Sequence, residues 1–275
     1  MTTQPIDAFG LTDMGRERTG NEDNFLVATM RKSVEIDHTS VAAGMLGDRF
    51  RASGAHLFAV ADGVGGRPGG ELASEATVEV LLRSAAEAAG CFHNMDVEQE
   101  HELLGRLEQA THDAHLRLIA DHGDSDKAPA TTLTLAMLVW PRAYLVHVGD
   151  SRAYYLRRGR LQQITRDQTI GEFMVNVGAW TEAQAARSST AMALSSSIGG
   201  SELAPSVGLI DLEPGDVLLL CTDGLTKHVP DPEIAEVLGR AGSASVGCRE
   251  LVDRALAAGG SDNVTVVIAR MAPPA

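Results

Sequence analysis

Positive charge is scarce in this chain of 275 residues. Lysine and arginine total 23 against 37 aspartates and glutamates, a formal net charge of -14. Nucleic-acid binding relies on clustered cations that neutralise phosphates, so the deficit argues against nucleic acid as the main partner. An acidic surface instead favours a basic protein partner. Cysteine is also sparse. Cys91, Cys221 and Cys248 are odd in number, far apart and without a CxxC pair. They point to neither a disulfide framework nor a zinc site, and they fit a reducing cytoplasm. The N-terminus shows no basic-then-apolar leader, and no apolar run approaches the roughly 20 residues of a membrane span. No membrane contact is expected. Aromatic residues are only 4% of a chain that is 44% hydrophobic, so Ala, Val, Leu and Ile must fill most of the core.

What the chain has is a repeated local grammar. Leu57-Phe58-Ala59-Val60-Ala61 reads as a buried strand that stops at Asp62, with Gly63, Gly65 and Gly66 just behind it. A strand interior disfavours Asp, and a simple turn does not need this much glycine. The economical reading is a strand that delivers one carboxylate to the edge of a core, where glycines let backbone approach a bound group. Carboxylates beside bare carbonyls suit a hard cation such as Mg²⁺ or Mn²⁺. Leu218-Leu219-Leu220-Cys221-Thr222-Asp223-Gly224 repeats the pattern, and Cys221 reads as core. Asp150 follows Val148-Gly149, Asp262 precedes an apolar run, and Glu22-Asp23 lie near the end of the first strand region.

In order along the chain, residues 6–30 read as a strand region broken by a polar hairpin from Gly10 to Asn24. Residues 37–55 are longer than a minimal hairpin needs. Helices are expected over 71–89 and from Asp96 to Asp121. The second opens on an Asp96/Gln99 capping box and carries an apolar stripe of Leu104, Leu107, Thr111, Ala114 and Leu118. Residues 131–164 read as a meander of antiparallel strands turning at Pro141-Arg142, Gly149-Asp150 and Arg158-Gly159. Residues 165–200 are too long and polar for a plain connection and suggest a lid with a short helix. Strands 207–212 and 216–221 meet at Glu213-Pro214-Gly215. Asp231 is expected to cap a helix with Pro232 at its first position. A helix over 244–258 and a strand over 264–270 follow. Strands mixed with pairs of helices predict an α+β fold, antiparallel sheets covered by helices, in one domain. His112 and His115 lack the further ligands that a metal site needs.

Several acids at strand ends could meet at one rim of such a fold. Like charges that close repel without cations, so their convergence would imply two or more divalent metals, a standard device for displacement at phosphorus. An Asp-Gly after a strand is also an ordinary turn signal, and spacing alone leaves both readings open.

Taken together, Arg18-x-x-Asn21-Glu22-Asp23, Asp62-Gly63-Val64-Gly65-Gly66, Gly149-Asp150-Ser151-Arg152-Ala153-Tyr154, Thr222-Asp223-Gly224-Leu225 and Asp262-Asn263-Val264-Thr265 resemble the ordered motifs of the bacterial metal-dependent protein phosphatases of type 2C. The likeness runs from about residue 6 to 270. It implies a four-layer architecture, a central β-sandwich of two antiparallel sheets flanked by pairs of α-helices, forming a single catalytic domain with a flap at about 165–200. It also implies hydrolysis of phosphoserine and phosphothreonine in proteins by a metal-activated water, with two core Mn²⁺ or Mg²⁺ ions and a third, weaker one.

By position, the resemblance makes Asp62 the bridge between the core metals and the Gly63 carbonyl a ligand of one. Asp223 and Asp262 complete the first metal's shell, and Glu22 and Asp23 lie beside the second. Asp150 helps to hold the third, sharing Asp223, and Arg18 grips the substrate phosphate. The partners implied are a phosphorylated protein and a Ser/Thr kinase whose action the enzyme reverses; a monomer is expected. Three positions depart from the pattern. No His follows the Asp62-Gly63 pair, Gln168 stands where relatives carry His, and Ser196 stands where they carry Arg. A catalytically dead phosphoprotein-binding domain and a hydrolase of another phosphoester are the competing readings.

Overall fold

The computed structural model describes residues 6–32, 53–64, 69–88, 95–122 and 128–272. Ten strands form two antiparallel five-stranded sheets. In the first, β1 (Ile6–Asp13), β10 (Val264–Met271), β9 (Val217–Cys221), β6 (Arg152–Arg157) and β7 (Arg160–Gln163) lie in that order. In the second the order is β2 (Asp23–Lys32), β3 (Ser53–Asp62), β4 (Leu133–Val139), β5 (Arg142–Val148) and β8 (Ser206–Asp211).

The continuous apolar runs follow from burial on both faces. Along β3, Phe58 and Val60 point into the seam between the sheets, while Leu57 and Ala59 face a helical layer. Along β9, Leu218 and Leu220 face the seam, and Val217, Leu219 and Cys221 face the opposite helical layer. Helices α1 (Gly70–Ala88) and α2 (Val97–His122) cover the second sheet. Three helices, α5 (Asp223–Thr226), α6 (Asp231–Arg240) and α7 (Ala244–Ala257), cover the first. The expected four-layer α+β sandwich is the observed one.

Three local expectations change. The segment from Gly10 to Asn24 is not a hairpin: β1 pairs along its whole length with β10, and β2 pairs with β3 in the other sheet. The meander is likewise split. Strands β4–β5 and β6–β7 are true hairpins, but Gly149-Asp150-Ser151 carries the chain from one sheet to the other. Turn chemistry is the same whether the joined strands pair side by side or face each other across a seam, so sequence does not separate the two cases. Finally, the helix expected to be capped by Asp231 includes Asp231, and Pro230 is the cap. The Asp231 carboxylate accepts a hydrogen bond from the Tyr154 hydroxyl at 3.3 Å instead.

The capping box at α2 forms as expected, with Gln99 N–H donating to Asp96 and Asp96 N–H donating to the Gln99 side chain. Its buried stripe is rotated slightly: Leu103 is buried and Leu104 only partly so. The lid segment holds two short helices, α3 (Ile170–Asn176) and α4 (Glu182–Ala185), the latter opened by a Thr181/Gln184 capping box. Of the region 37–55, residues 37–52 lie outside the described residues, as do Gly65 and Gly66.

Candidate active site

The cross-sheet connections put the acids at one rim. Asp23 opens β2 and Asp62 closes β3, directly opposite each other in register. Asp150 lies in the β5–β6 crossing, Asp223 follows β9 as the first residue of α5, and Asp262 leads into β10. Arg18, Asp62, Asp150, Asp223 and Asp262 line one cleft of ≈ 370 Å³, with Val64, Thr132 and Lys227. Met192, Ala193 and Leu194, the returning arm of the lid, close its side. Gly63, Glu22 and Asp23 are not in the cleft wall. Asp23 is buried beneath it and Glu22 is half-buried beside it.

Backbone contacts fix these positions. A Cβ on Gly63 would lie 2.5 Å from the backbone of Gly70 and 2.9 Å from the Glu22 carbonyl, so only glycine fits. The Gly63 N–H donates to that same Glu22 carbonyl. A Cβ on Gly224 would meet the Asn263 carbonyl, which holds the Asp223 turn against the Asp262 turn. Asn263 is buried and acts as a staple. Its side-chain oxygen accepts from Glu22 N–H, and its amide donates to the carbonyls of Met14 and Gly20. Beneath the cleft, one oxygen of Asp23 accepts from Thr222 at 2.9 Å and from Thr265 at 2.6 Å.

The electrostatics show an unmet demand for positive charge. Burial, together with the nearby Asp223, lifts Asp23 to about 7 against the pull of its two hydroxyl donors. Burial and Asp223 lift Asp150 to about 7. Burial and the charges of Asp23, Asp223 and Asp150 hold Asp62 well above the carboxylate range. Burial raises Glu22 too. Asp262 moves down: burial opposes its charge, but Lys227 and Arg18 outweigh that. Arg18 Nε lies 2.8 Å from Asp262 Oδ1. Lys227 Nζ lies 2.7 Å from Asp262 Oδ2 and 2.6 Å from Asp223 Oδ2.

Do these residues fit a divalent ion? Among the described residues, no three His, Cys, Asp or Glu side chains close on one point as a finished single-ion site. Asp62, Asp150, Asp223 and Asp262 nevertheless line one cleft together. Two buried oxygens, Asp23 Oδ1 and Asp223 Oδ1, have no hydrogen-bond partner. A buried carboxylate oxygen without a donor is costly, and a hard cation is the natural partner for an all-oxygen set. The donor set fits.

Comparison with known proteins agrees with the geometry. The family model described as Protein phosphatase 2C matches residues 46–257. The chain belongs to the protein phosphatase 2C family. The serine/threonine protein phosphatase PstP of Mycobacterium tuberculosis is 35% identical over 219 residues, 79% of this chain and 40% of PstP. The chain therefore spans well under half the length of that relative. A putative 2C-type phosphatase of Streptococcus pyogenes is 30% identical over 260 residues, 94% of each chain. Among solved structures, the catalytic domain of PstP in complex with two manganese ions superposes with a TM-score of 0.72 at 29% identity, covering 98% of this chain and 100% of that one. The family match includes Asp62, Asp150 and Asp223 but stops short of Arg18, Glu22, Asp23 and Asp262, which the fold brings to the same rim.

The two departures in the lid have visible roles in this 2C-family chain. Gln168 accepts from the Gly149 N–H and donates to the Ala204 carbonyl, tying the lid base to the Asp150 crossing. Ser196 is buried and accepts from Ala204 N–H. His115 accepts from Gly199 N–H at the lid's far end, so it anchors the lid. Trp180 is half-buried on the lid. Sequence reasoning missed Lys227 and the stapling role of Asn263. For Lys227 the available signal was its place four residues after Asp223, on the same face of a helical turn.

Proposed function

We propose that the chain is a metal-dependent protein serine/threonine phosphatase, a phosphoric monoester hydrolase whose catalytic domain covers residues 6–270 with residues 165–200 as its flap. The observation that carries this reading is the meeting of Asp62, Asp150, Asp223, Asp262 and Arg18 in one cleft. Asp62, the Gly63 carbonyl, Asp223 and Asp262 would hold the core ions, with Glu22 and Asp23 beside them and Asp150 at a third. Mn²⁺ or Mg²⁺ bound there supplies Lewis acidity and activates water for attack on phosphorus. Arg18 offers a planar fork matched to phosphate oxygens, and it lines the cleft while partly exposed. Met192, Ala193 and Leu194 of the flap line the same cleft, where they would contact a bound ester. Within the described residues no helix is long and apolar enough to cross a membrane. The reading includes a cytoplasmic monomer that reverses a Ser/Thr kinase.

The test is phosphate release from a phosphothreonine peptide with Mn²⁺, Mg²⁺ or EDTA, wild type beside Asp62→Asn and Asp223→Asn. Turnover should require metal and fall at least about a hundredfold in both variants, roughly 2.7 kcal/mol of transition-state stabilisation. Absence of wild-type turnover with metal bound would refute it.

A further inference from the structure

The chain contains only three lysines, Lys32, Lys127 and Lys227, and one of them stands in the carboxylate rim. Lys227 follows the single turn of α5, and its N–H donates to the Asp223 carbonyl at 2.8 Å. The backbone thus turns the side chain back over Asp223. Its ammonium bridges Asp223 Oδ2 and Asp262 Oδ2, at 2.6 and 2.7 Å. Those two carboxylates come from separate elements, one after β9 and one before β10. Lys227 is therefore the cation that joins them. Of these two carboxylates, Arg18 pairs with Asp262, through its other oxygen. Asp223 Oδ1 stays buried without a partner, so the lysine satisfies half of the notch and leaves a donor in place for an ion.

We propose that Lys227 is an internal counter-ion that occupies the Asp223–Asp262 notch in the metal-free protein and must be displaced when the first divalent ion binds. The inference rests on the reading of Asp223 and Asp262 as metal ligands. Its physical basis is competition for the same oxygens. A dication and an ammonium that share two carboxylates at contact distance repel each other strongly in a partly buried site. Loading the ion therefore includes the cost of moving the lysine out. In exchange, the metal-free protein avoids two adjacent, unneutralised carboxylates. The side chain thereby sets a threshold ion concentration below which the site holds its own lysine. The stem of Lys227 is about a third exposed, which gives the freed ammonium a route to solvent at the cleft mouth.

Isothermal titration of metal-free wild type and Lys227→Met with MnCl₂ tests this. The variant should bind its tightest Mn²⁺ at least about tenfold more tightly, a gain of roughly 1.4 kcal/mol, and should melt at a lower temperature than wild type in EDTA. Equal or weaker Mn²⁺ binding by a folded variant would overturn the proposal. A second measurement needs no variant. Amine-specific acylation of wild type, read by peptide mass spectrometry, should label Lys227 at least about threefold faster with saturating Mn²⁺ than with EDTA, with Lys32 and Lys127 as internal references. Unchanged or slower labelling would overturn it. Failure of wild type to bind Mn²⁺ at all would remove the metal site itself, and the competitor with it.

Discussion

Metal-free protein should lose stability as the pH rises from about 6.5 to 8, the reverse of ordinary carboxylate behaviour. In an unfolded chain an aspartate titrates near 3.9. In the fold, burial and mutual repulsion lift Asp23 and Asp150 to about 7 and Asp62 well above its usual range. Near neutral pH the folded state therefore holds protons that the unfolded chain has already released. Stability is then highest on the acid side and is lost as these groups are forced to ionise. His147 acts in the other direction. It is buried between the Thr134 hydroxyl and the Arg166 carbonyl, and burial lowers it to about 4. Unfolding thus takes up a proton only below about pH 6.5, which sets the lower edge of the window.

Each proton of difference between the two states is worth roughly 1.4 kcal/mol per pH unit. One to two protons across this window give about 2–4 kcal/mol, or on the order of 10 °C in melting midpoint for a domain of this size. The assay is thermal melting by circular dichroism in EDTA at constant ionic strength, repeated with saturating Mn²⁺. The ion binds the ionised carboxylates, so the stabilisation it confers should grow with pH and cancel the slope. A metal-free midpoint that stays flat or rises from pH 6.5 to 8 would show that Arg18 and Lys227 already neutralise the rim, and would refute the reasoning.

Two substitutions test the scaffold. Asn263→Ala removes three hydrogen bonds from a buried staple. At about 1 kcal/mol each it should destabilise by roughly 3 kcal/mol and raise KM by releasing the Arg18 loop; denaturant melts and steady-state kinetics would show both, and wild-type stability would contradict the staple. Gly63→Ala places a methyl 2.5 Å from the Gly70 backbone. It should cost about 1–3 kcal/mol and weaken Mn²⁺ binding measured by calorimetry, whereas unchanged Mn²⁺ affinity would mean that the close approach is not required.

Much of this was legible in the sequence because strong local signals coincide with the chemistry. The apolar runs before Asp62 and Asp223 mark strands buried on both faces, and an Asp-Gly behind each can lie only at a strand end. The Asp96/Gln99 capping box behaves as local chemistry dictates. The partition of strands between sheets was not legible, because Gly149-Asp150-Ser151 satisfies the rules of a hairpin turn while crossing the sandwich. Lys227 escaped notice because a lysine four residues after an aspartate usually forms a weak surface pair. Only the approach of Asp262 from a distant turn makes it a bridge between two carboxylates. Asn263 and Thr265 look like ordinary strand-entry residues until the fold brings Glu22 and Asp23 against them.

The rim also has a mechanical meaning. Asp23 and Asp62 end strands of one sheet, Asp223 and Asp262 flank strands of the other, and the Asp23 carboxylate already crosses the seam to Thr222 and Thr265. An ion held at this rim would rivet the two halves of the sandwich together at one end. The β8–β9 crossing, at Glu213 to Gly215, hinges them at the other. Ion loading should therefore slow backbone hydrogen exchange along β2, β3, β9 and β10 together, so that the rigidity of the whole sandwich reports on the occupancy of its rim.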